Sequence, residues 1–208
     1  MGRRRYRGGH NPYRRDAHTR AAKAQGYAAR SVFKLEEIDR RLRLLKPNQH
    51  VLDLGAAPGS WSAYAAKRVG RRGRIVAIDL NPLAQSVPAH VTAIVADAYD
   101  EATFVAGPAA EAAPYDVVLS DMAPSTTGDK RTDQVRSFDI FTRAVGLTDT
   151  LLAPGGSFVG KIFMSGDFPR ARDGLRERFE TVRTLRPEAV RDVSYEVFLV
   201  GLKKRSDP

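Results

Sequence analysis

Short, continuous runs of hydrophobic residues recur along most of the chain, each followed by glycine, proline or charged residues. Such runs, without alternation of polar and apolar positions, are typical of parallel strands that are buried on both faces. They predict seven strands, at residues 50–55, 74–80, 91–96, 115–120, 157–163, 181–186 and 196–202.

Between these runs, hydrophobic residues recur every three or four positions, which is the spacing of one helix face. The clearest case starts at Ser31, a candidate cap, and closes at Pro47. Further helices are predicted at residues 60–69, 101–113, 132–152 and 169–179, the third of them stopped by Pro154-Gly155-Gly156. Strands alternating with helices predict an α/β fold with a doubly wound, mostly parallel sheet of seven strands.

Positive charge is concentrated at the start of the chain. The first 46 residues hold 14 basic and four acidic residues, which accounts for the whole net charge of +10. We interpret residues 1–25 as a basic, flexible arm and residues 26–208 as a single domain. Basic arms bind polyanions, with nucleic acid the leading candidate, and Tyr6, Tyr13 and Tyr27 can stack on bases. Charge alone leaves a solvated tail without a specific partner equally open.

Composition excludes several classes of protein. The chain has no cysteine, so disulfides, thiolate metal sites and cysteine nucleophiles are excluded. Its four histidines show no metal-ligand spacing, and we expect no metal site. No apolar stretch is long enough for a membrane helix, and no secretory signal is recognisable. We therefore expect a cytoplasmic protein without membrane association and, since nothing suggests an obligate partner, a monomer.

A glycine-containing turn, Asp53-Leu-Gly-Ala-Ala-Pro-Gly59, joins the first predicted strand to a helix. Glycines here allow a tight turn and a close approach of the backbone to a ligand, at the edge where doubly wound sheets bind nucleotides. Asp79 and Asp97 end the next two strands, where they are placed to bind a ribose diol and an adenine amino group. Gly55, Gly59, Asp79 and Asp97 are thus candidate cofactor-binding residues.

The spacing of these glycines favours one cofactor over another. Gly55-x-x-x-Gly59 is not the G-x-G-x-x-G that seats a dinucleotide pyrophosphate, so an adenosyl cofactor such as S-adenosylmethionine fits better than a nicotinamide. A second glycine pattern, from Gly155 to Lys161, matches most of a P-loop. Its next position is Ile162 instead of Ser or Thr, and it falls within a predicted strand, which disfavours an NTPase.

Five segments, in order, resemble the FtsJ-type ribose 2′-O-methyltransferases, over about residues 26–203. They are Gly26-Tyr-Ala-Ala-Arg-Ser-Val-Phe-Lys-Leu-Glu-Glu-Ile38, Asp53-Leu-Gly-Ala-Ala-Pro-Gly-Ser-Trp-Ser62, Ser120-Asp-Met-Ala-Pro124, Pro154-Gly-Gly-Ser-Phe-Val-Gly-Lys-Ile-Phe163 and Ser194-Tyr-Glu-Val197. Within this family, the length and the absence of added domains resemble enzymes that act on 23S ribosomal RNA. The chain departs from the family at Ser60, Ser125 and Gly160, and Ser125 bears on how substrate is held.

The resemblance implies a class I, Rossmann-like fold and an S-adenosylmethionine-dependent methyltransferase. It implies methylation of a ribose 2′-hydroxyl, of a uridine in our interpretation, in 23S ribosomal RNA of the large subunit. The family's catalytic Lys-Asp-Lys-Glu set falls on Lys34, Asp121, Lys161 and Glu196. Its cofactor contacts fall on Gly59, Trp61, Asp79, Asp97 and Asp121.

The four charged residues also make chemical sense for this reaction. A 2′-hydroxyl is a poor nucleophile until its proton is removed, and lysine accepts a proton only when neutral. A neighbouring cation and burial both favour a neutral lysine, whereas a neighbouring carboxylate opposes it. Lys161 is the candidate base, with Lys34 and a sulfonium as nearby cations, and Asp121 and Glu196 orienting the lysines.

From the spacing of the residues alone, a purely structural role is favoured over a catalytic one for each of the candidate residues. Lys34 fits an exposed helix lysine, Asp121 a turn cap and Trp61 a core residue. The resemblance reverses this preference for the four charged residues. The alternatives for function are a transfer RNA or mRNA-cap 2′-O-methyltransferase, a small-molecule methyltransferase, and a non-catalytic RNA-binding protein of ribosome assembly.

Overall fold

A seven-stranded sheet forms the centre of the protein, in the order β3-β2-β1-β4-β5-β7-β6. The computed structural model describes residues 19–190 and 194–206 of the 208. The strands are β1 (His50–Leu54), β2 (Arg74–Asp79), β3 (Val91–Val95), β4 (Tyr115–Ser120), β5 (Leu152–Phe163), β6 (Phe179–Leu185) and β7 (Glu196–Lys204). The predicted seven-stranded α/β sheet is confirmed.

Helices cover both faces of this sheet, which is the doubly wound arrangement predicted from the sequence. They are α1 (residues 19–24), α2 (Val32–Leu42), α3 (Ser60–Val69), α4 (Glu101–Val105), α5 (Pro108–Glu111), α6 (Lys130–Leu151) and α7 (Phe168–Arg178). Alternate residues of β1 show the two layers. Leu52 and Leu54 pack with α4, α6 and α7, whereas Val51 packs with α2 and α3.

All strands but β7 run in one direction. The pairs β1–β2, β2–β3, β1–β4 and β4–β5 are parallel, and β7 is antiparallel to both β5 and β6. The carboxyl ends of β1 to β5 therefore meet the start of β7 at one edge of the sheet. Open α/β sheets bind their ligands at this edge.

Three helix boundaries differ from the prediction. The helix expected at residues 101–113 is two short helices, because Gly107 and Pro108 interrupt it and Pro108 starts α5. The first predicted helix ends at Leu42, where Arg43 adopts a left-handed conformation, and Ser31 makes no side-chain cap. α6 ends at Leu151 without the help of Pro154-Gly155-Gly156, which lies inside β5 because β5 already pairs with β4 at Leu152.

The predicted basic arm lies mostly outside the described residues. Of residues 1–25, the structure describes 19–25, and α1 there is helical where irregular chain was expected. Ala22 and Tyr27 are buried in a small cluster with Val32 and Ala63, which joins this segment to α2 and α3. Among the described residues, no helix has the length and apolarity needed to cross a membrane.

Candidate active site

The four predicted catalytic residues form two lysine–carboxylate pairs. Lys161 Nζ lies 2.9 Å from a carboxylate oxygen of Asp121 and also donates to the main-chain oxygen of that residue. Lys34 Nζ pairs with the carboxylate of Glu196. All four side chains are largely buried, at 8–15% exposed, and buried charges of this kind need such partners.

Strand pairing brings the two pairs to one place. Lys161 lies in β5 opposite Phe198 of β7, and Glu196, two residues earlier in β7, projects from the same face. Lys34 reaches this face from α2, with its Nζ 5.7 Å from the centre of the Phe198 ring. Asp121 follows β4, and its amide donates to the oxygen of Leu54 at 3.1 Å. The structure thus gathers residues that lie up to 162 positions apart.

A cavity of about 480 Å³ opens beside Asp121, within the usual size range of ligand pockets. Its walls are the segments that follow β1, β2, β3 and β4. Gly55, Asp79, Asp97 and Asp121, predicted from the sequence as cofactor-binding residues, all line it. Gly59 and Trp61 do not line it, and their predicted cofactor contacts remain predictions.

Gly55 is required where β1 and β4 end side by side. Its φ is +73°, and a Cβ there would lie 2.7–2.8 Å from backbone and side-chain atoms of Met122. Gly59, with φ +109°, starts α3 in a conformation that other residues rarely adopt. The two glycines therefore shape the turn between β1 and α3 that borders the cavity.

Carboxylates dominate the polar lining of the cavity. Asp79 accepts from the amides of Ala57 and Asn81 at 3.0 and 2.8 Å, and Asp97 accepts from the amide of Tyr99 at 2.9 Å. These bonds fix both carboxylates at the ends of β2 and β3. The lining includes three aspartates and neither lysine, arginine nor histidine. The cavity therefore suits a positively charged ligand and disfavours one with phosphates.

Asp53 lies beneath this lining, fully buried in β1. Ser62 donates to one of its carboxylate oxygens at 2.6 Å, whereas the other has no hydrogen-bond partner among the described residues. Burial raises the pKa of Asp53 to about 7, the negative charges of Asp121 and Asp79 add to the rise, and the Ser62 hydrogen bond opposes it. The site thus has a carboxyl group that titrates near neutral pH.

Trp61 and the P-loop-like segment have structural positions. Trp61 is 3% exposed, packs against Phe198 and donates its indole N–H to the oxygen of Ser31 at 2.9 Å. Gly160 and Lys161 lie within β5, so no strand-to-helix phosphate loop exists there. A Cβ at Gly160 would lie 2.6–2.7 Å from the rings of Phe158 and Phe141, which explains the glycine by packing.

Several cavity residues were not predicted from the sequence. Asn81 and Tyr99 each follow a predicted aspartate by two positions, so their place after a strand was a usable signal. Ile140 comes from the middle of α6, and only the fold brings it there. Arg143, one turn further along α6, supports the Tyr99 segment by donating to the oxygen of Ala98 at 2.8 Å.

A model of the FtsJ-like methyltransferase family matches residues 27–204. The chain belongs to the FtsJ-like methyltransferase family. The predicted family membership is therefore confirmed, and the two lysine–carboxylate pairs and the cavity all lie within the matched residues.

Curated relatives of this FtsJ-like methyltransferase extend over nearly the whole chain. It is 59% identical over 197 residues to ribosomal RNA large subunit methyltransferase E of Sorangium cellulosum, covering 94% of this chain and 92% of that protein. It is 46% identical to the protein of the same name from Nitratidesulfovibrio vulgaris, covering 93% and 96% of the two chains.

Solved structures confirm the class I methyltransferase fold. One assigned as a ribosomal RNA methyltransferase from Plasmodium falciparum superposes with a TM-score of 0.76 at 23% identity, covering 87% of this chain and all of that one. Fibrillarin of Aeropyrum pernix, determined with bound S-adenosyl-L-methionine, gives 0.59 at 16% identity, covering 76% and 68%. At these identities the likeness concerns the fold alone.

Proposed function

We propose that this FtsJ-like methyltransferase transfers a methyl group from S-adenosylmethionine to a ribose 2′-hydroxyl of 23S ribosomal RNA, the nucleotide being a uridine. The observation that best supports this is the position of the pair Lys161–Asp121, which lies next to a carboxylate-lined cavity. The names of the curated relatives support ribosomal RNA of the large subunit as the substrate.

The three aspartates in the lining and the volume of about 480 Å³ support S-adenosylmethionine as the ligand of the cavity. When bound, this cofactor supplies a methyl group that is activated by a positively charged sulfur. We assign Asp79 to the ribose diol and Asp97 to the adenine amino group, since each carboxylate is already oriented by backbone amides. Asp121 lies between this cavity and Lys161, so its carboxylate faces both the cationic ligand and the candidate base.

Lys161 is the residue we assign to proton transfer. One carboxylate oxygen and the main-chain oxygen of Asp121 both hold Lys161 Nζ, and Asp121 itself lines the cavity. In its neutral form this amine would accept the proton of the 2′-hydroxyl, and the 2′-oxygen would take the methyl group that the cofactor would supply, with S-adenosylhomocysteine released. Lys34 reaches the same face of the sheet from α2, and its pairing with Glu196 orients its ammonium group there.

RNA as the substrate also agrees with the charge of the chain. The surplus of ten positive charges lies within the first 46 residues, and α1 and α2 attach this segment beside the catalytic pairs. We propose that residues 1–25 form an RNA-binding arm of a single methyltransferase domain, which acts as a monomer in the cytoplasm.

Methyl transfer to separate RNA substrates tests this proposal. Labelled S-adenosylmethionine is incubated with large ribosomal subunits, free 23S RNA or transfer RNA, and with wild type, Lys161→Ala or Lys203→Ala. Lys203 is a matched control because it lies in the same sheet with its side chain 70% exposed. We expect label on the large subunit or its RNA, a rate lowered by about 100-fold or more in Lys161→Ala, and no change in Lys203→Ala.

The other outcomes separate the alternatives. Label only on transfer RNA would show that transfer RNA is the substrate, and the proposed methylation of a ribose hydroxyl would still stand. Binding of the cofactor without transfer to any RNA would favour a non-catalytic role in ribosome assembly. Nuclease digestion and chromatography of the product identify the nucleoside, and a methyl group on the base instead of the ribose would contradict the proposed reaction.

A further inference from the structure

The cofactor cavity occupies only half of the carboxyl edge of the sheet. Its lining comes from the segments after β1, β2, β3 and β4, together with Ile140 of α6. The other half consists of the end of β5 and the start of β7, where Phe163 lies opposite Glu196. A nucleotide that reaches Lys161 beside a bound cofactor must therefore lie over the β5–β7 half.

Tyr195 is a half-buried aromatic side chain at this second half. Its ring stands edge-on against Phe163, with the ring centres 4.9 Å apart, and it is half-buried while Phe163 is 8% exposed. The main chain of Tyr195 is held on one side, because its oxygen accepts from the amide of Met164 at 2.8 Å. Tyr195 thus has a supported ring whose place next to Glu196 is fixed by β-sheet pairing.

An exposed lysine covers the ring of Tyr195. Lys130, the first residue of α6, has its Nζ 5.4 Å from the ring centre. A cation over an aromatic face at an exposed site contributes little free energy, so another planar group can readily replace this lysine. The lysine would then be available to a phosphate of the same RNA.

We propose that Tyr195 stacks on the base of the nucleotide whose ribose is methylated, while Lys130 contacts an adjacent phosphate. The base and the 2′-hydroxyl are attached to neighbouring carbons of one ribose, so a hydroxyl at Lys161 brings its base close to the β5–β7 half of the edge. Phe163 projects from β5 on the same side as Lys161, two residues away, and supports the tyrosine ring. This inference rests on the proposed function and adds the group that holds the substrate base.

RNA binding by Tyr195→Ala and Tyr195→Phe tests the inference. The probes are a fluorescently labelled short oligouridylate and a strand with the same backbone but no bases, each measured by anisotropy with S-adenosylhomocysteine present. Tyr195→Ala is expected to weaken oligouridylate binding roughly 5- to 100-fold, because base stacking on an aromatic residue contributes this much. Tyr195→Phe keeps the ring and is expected to match wild type.

The probe without bases distinguishes stacking from other effects. Wild type and Tyr195→Ala should bind it equally, since no base is present to stack. Equal weakening of both probes in Tyr195→Ala would overturn the inference, as would an unchanged affinity for oligouridylate. Unchanged cofactor affinity shows that Tyr195→Ala is folded, and Tyr99→Ala is the matched tyrosine change on the cofactor side, expected to weaken cofactor binding and not RNA binding.

Methyl transfer separates this inference from the proposed function. If wild type methylates RNA and Tyr195→Ala has the wild-type KM for RNA, the reaction stands and the stacking role is rejected. If Tyr195→Ala weakens oligouridylate binding but wild type transfers no methyl group to RNA, the base-binding role stands and the reaction does not. The expected result is a raised KM for RNA with a nearly unchanged kcat.

Discussion

Asp53 couples the folding of this protein to pH through a single carboxyl group. Its pKa is about 7 in the folded protein, against an ordinary value of 3.8, chiefly because the residue is buried. Between these two values the folded protein keeps a proton that the unfolded chain releases. Stability from this group is therefore fully present below about pH 4 and is lost as the pH rises through 7.

The substitution Asp53→Asn should remove this pH dependence. The amide has no charge to bury, and its oxygen still accepts from Ser62. The measured quantity is the unfolding free energy of wild type minus that of Asp53→Asn. We expect this difference to fall by up to roughly 4 kcal/mol as the pH rises from 4 to 8. Urea unfolding at several pH values measures this difference. Parallel curves for the two proteins would contradict the assignment of the titration to Asp53.

At the level of single residues, position after a strand was the informative signal. Asp79 and Asp97 were predicted to meet at one cavity because parallel strands end at the same edge, and both line it. Trp61 lies in the core with its ring against Phe198, and its predicted cofactor contact stays a prediction. Neither its burial nor the approach of Ile140 from α6 follows from local sequence, because both depend on long-range packing.

Lys204 connects the end of β7 to the end of α6. Its ammonium donates to the main-chain oxygens of Thr148, Asp149 and Leu152 at 2.8, 2.8 and 2.9 Å, and the residue is 8% exposed. The last carbonyls of a helix have no partner within the helix and lie at its negative end. Lys204 therefore satisfies both the hydrogen bonding and the charge of the α6 C-terminus.

Lys204→Met should destabilise the protein considerably. The methionine fills similar space but removes all three lysine hydrogen bonds, and of these acceptors the Thr148 oxygen still has the amide of Leu152. We expect this loss to cost about 2–4 kcal/mol. Its neighbour Lys203 provides the control, because that side chain is exposed and, among the described residues, forms an ion pair with Glu180 alone, at 3.3 Å. Lys203→Met should change the unfolding free energy by no more than about 0.5 kcal/mol. Equal effects of the two substitutions in thermal or urea unfolding would argue against the capping role.

Element types were easier to predict than element boundaries. Each predicted strand exists, since a buried strand needs a hydrophobic run whatever surrounds it. The alanine-rich segment 101–113 had helical composition, but Gly107 and Pro108 divide it into α4 and α5. Pro154-Gly155-Gly156 lies inside β5 at a register irregularity, between the pairs Tyr115–Leu152 and Val117–Ser157, so the strand continues past a local bulge with Gly155 at φ +77°.

For the whole molecule, the uneven charge distribution suggests how RNA is held. Residues 1–18 contain six arginines and one acidic residue. α1, which follows them, is packed against the domain through Ala22, so deletion up to residue 18 removes half of the positive surplus without removing this contact. A deletion to residue 25 would remove this positive charge and also the packing of Ala22 against the domain.

Deletion of residues 1–18 should weaken RNA binding and leave cofactor affinity intact. Since each phosphate contact to a single strand contributes about 0.7 to the slope of log K against log salt, we expect the slope to fall by up to about 4. Titration of RNA at several salt concentrations measures it, and a full-length variant with the six arginines changed to glutamine serves as the matched comparison. Equal loss of cofactor and RNA affinity would contradict an arm that acts only on RNA.

The antiparallel strand β7 has a consequence for the order in which a newly made chain becomes active. β7 lies between β5 and β6 but is synthesised after both, so the two strands face a gap until it arrives. The same strand brings Glu196 to Lys34 and Lys204 to the end of α6. A nascent chain with six strands can already have the walls of the proposed cofactor cavity, but it lacks Glu196. Closure of the sheet and completion of the proposed catalytic set are therefore a single event, and truncation before β7 removes both together.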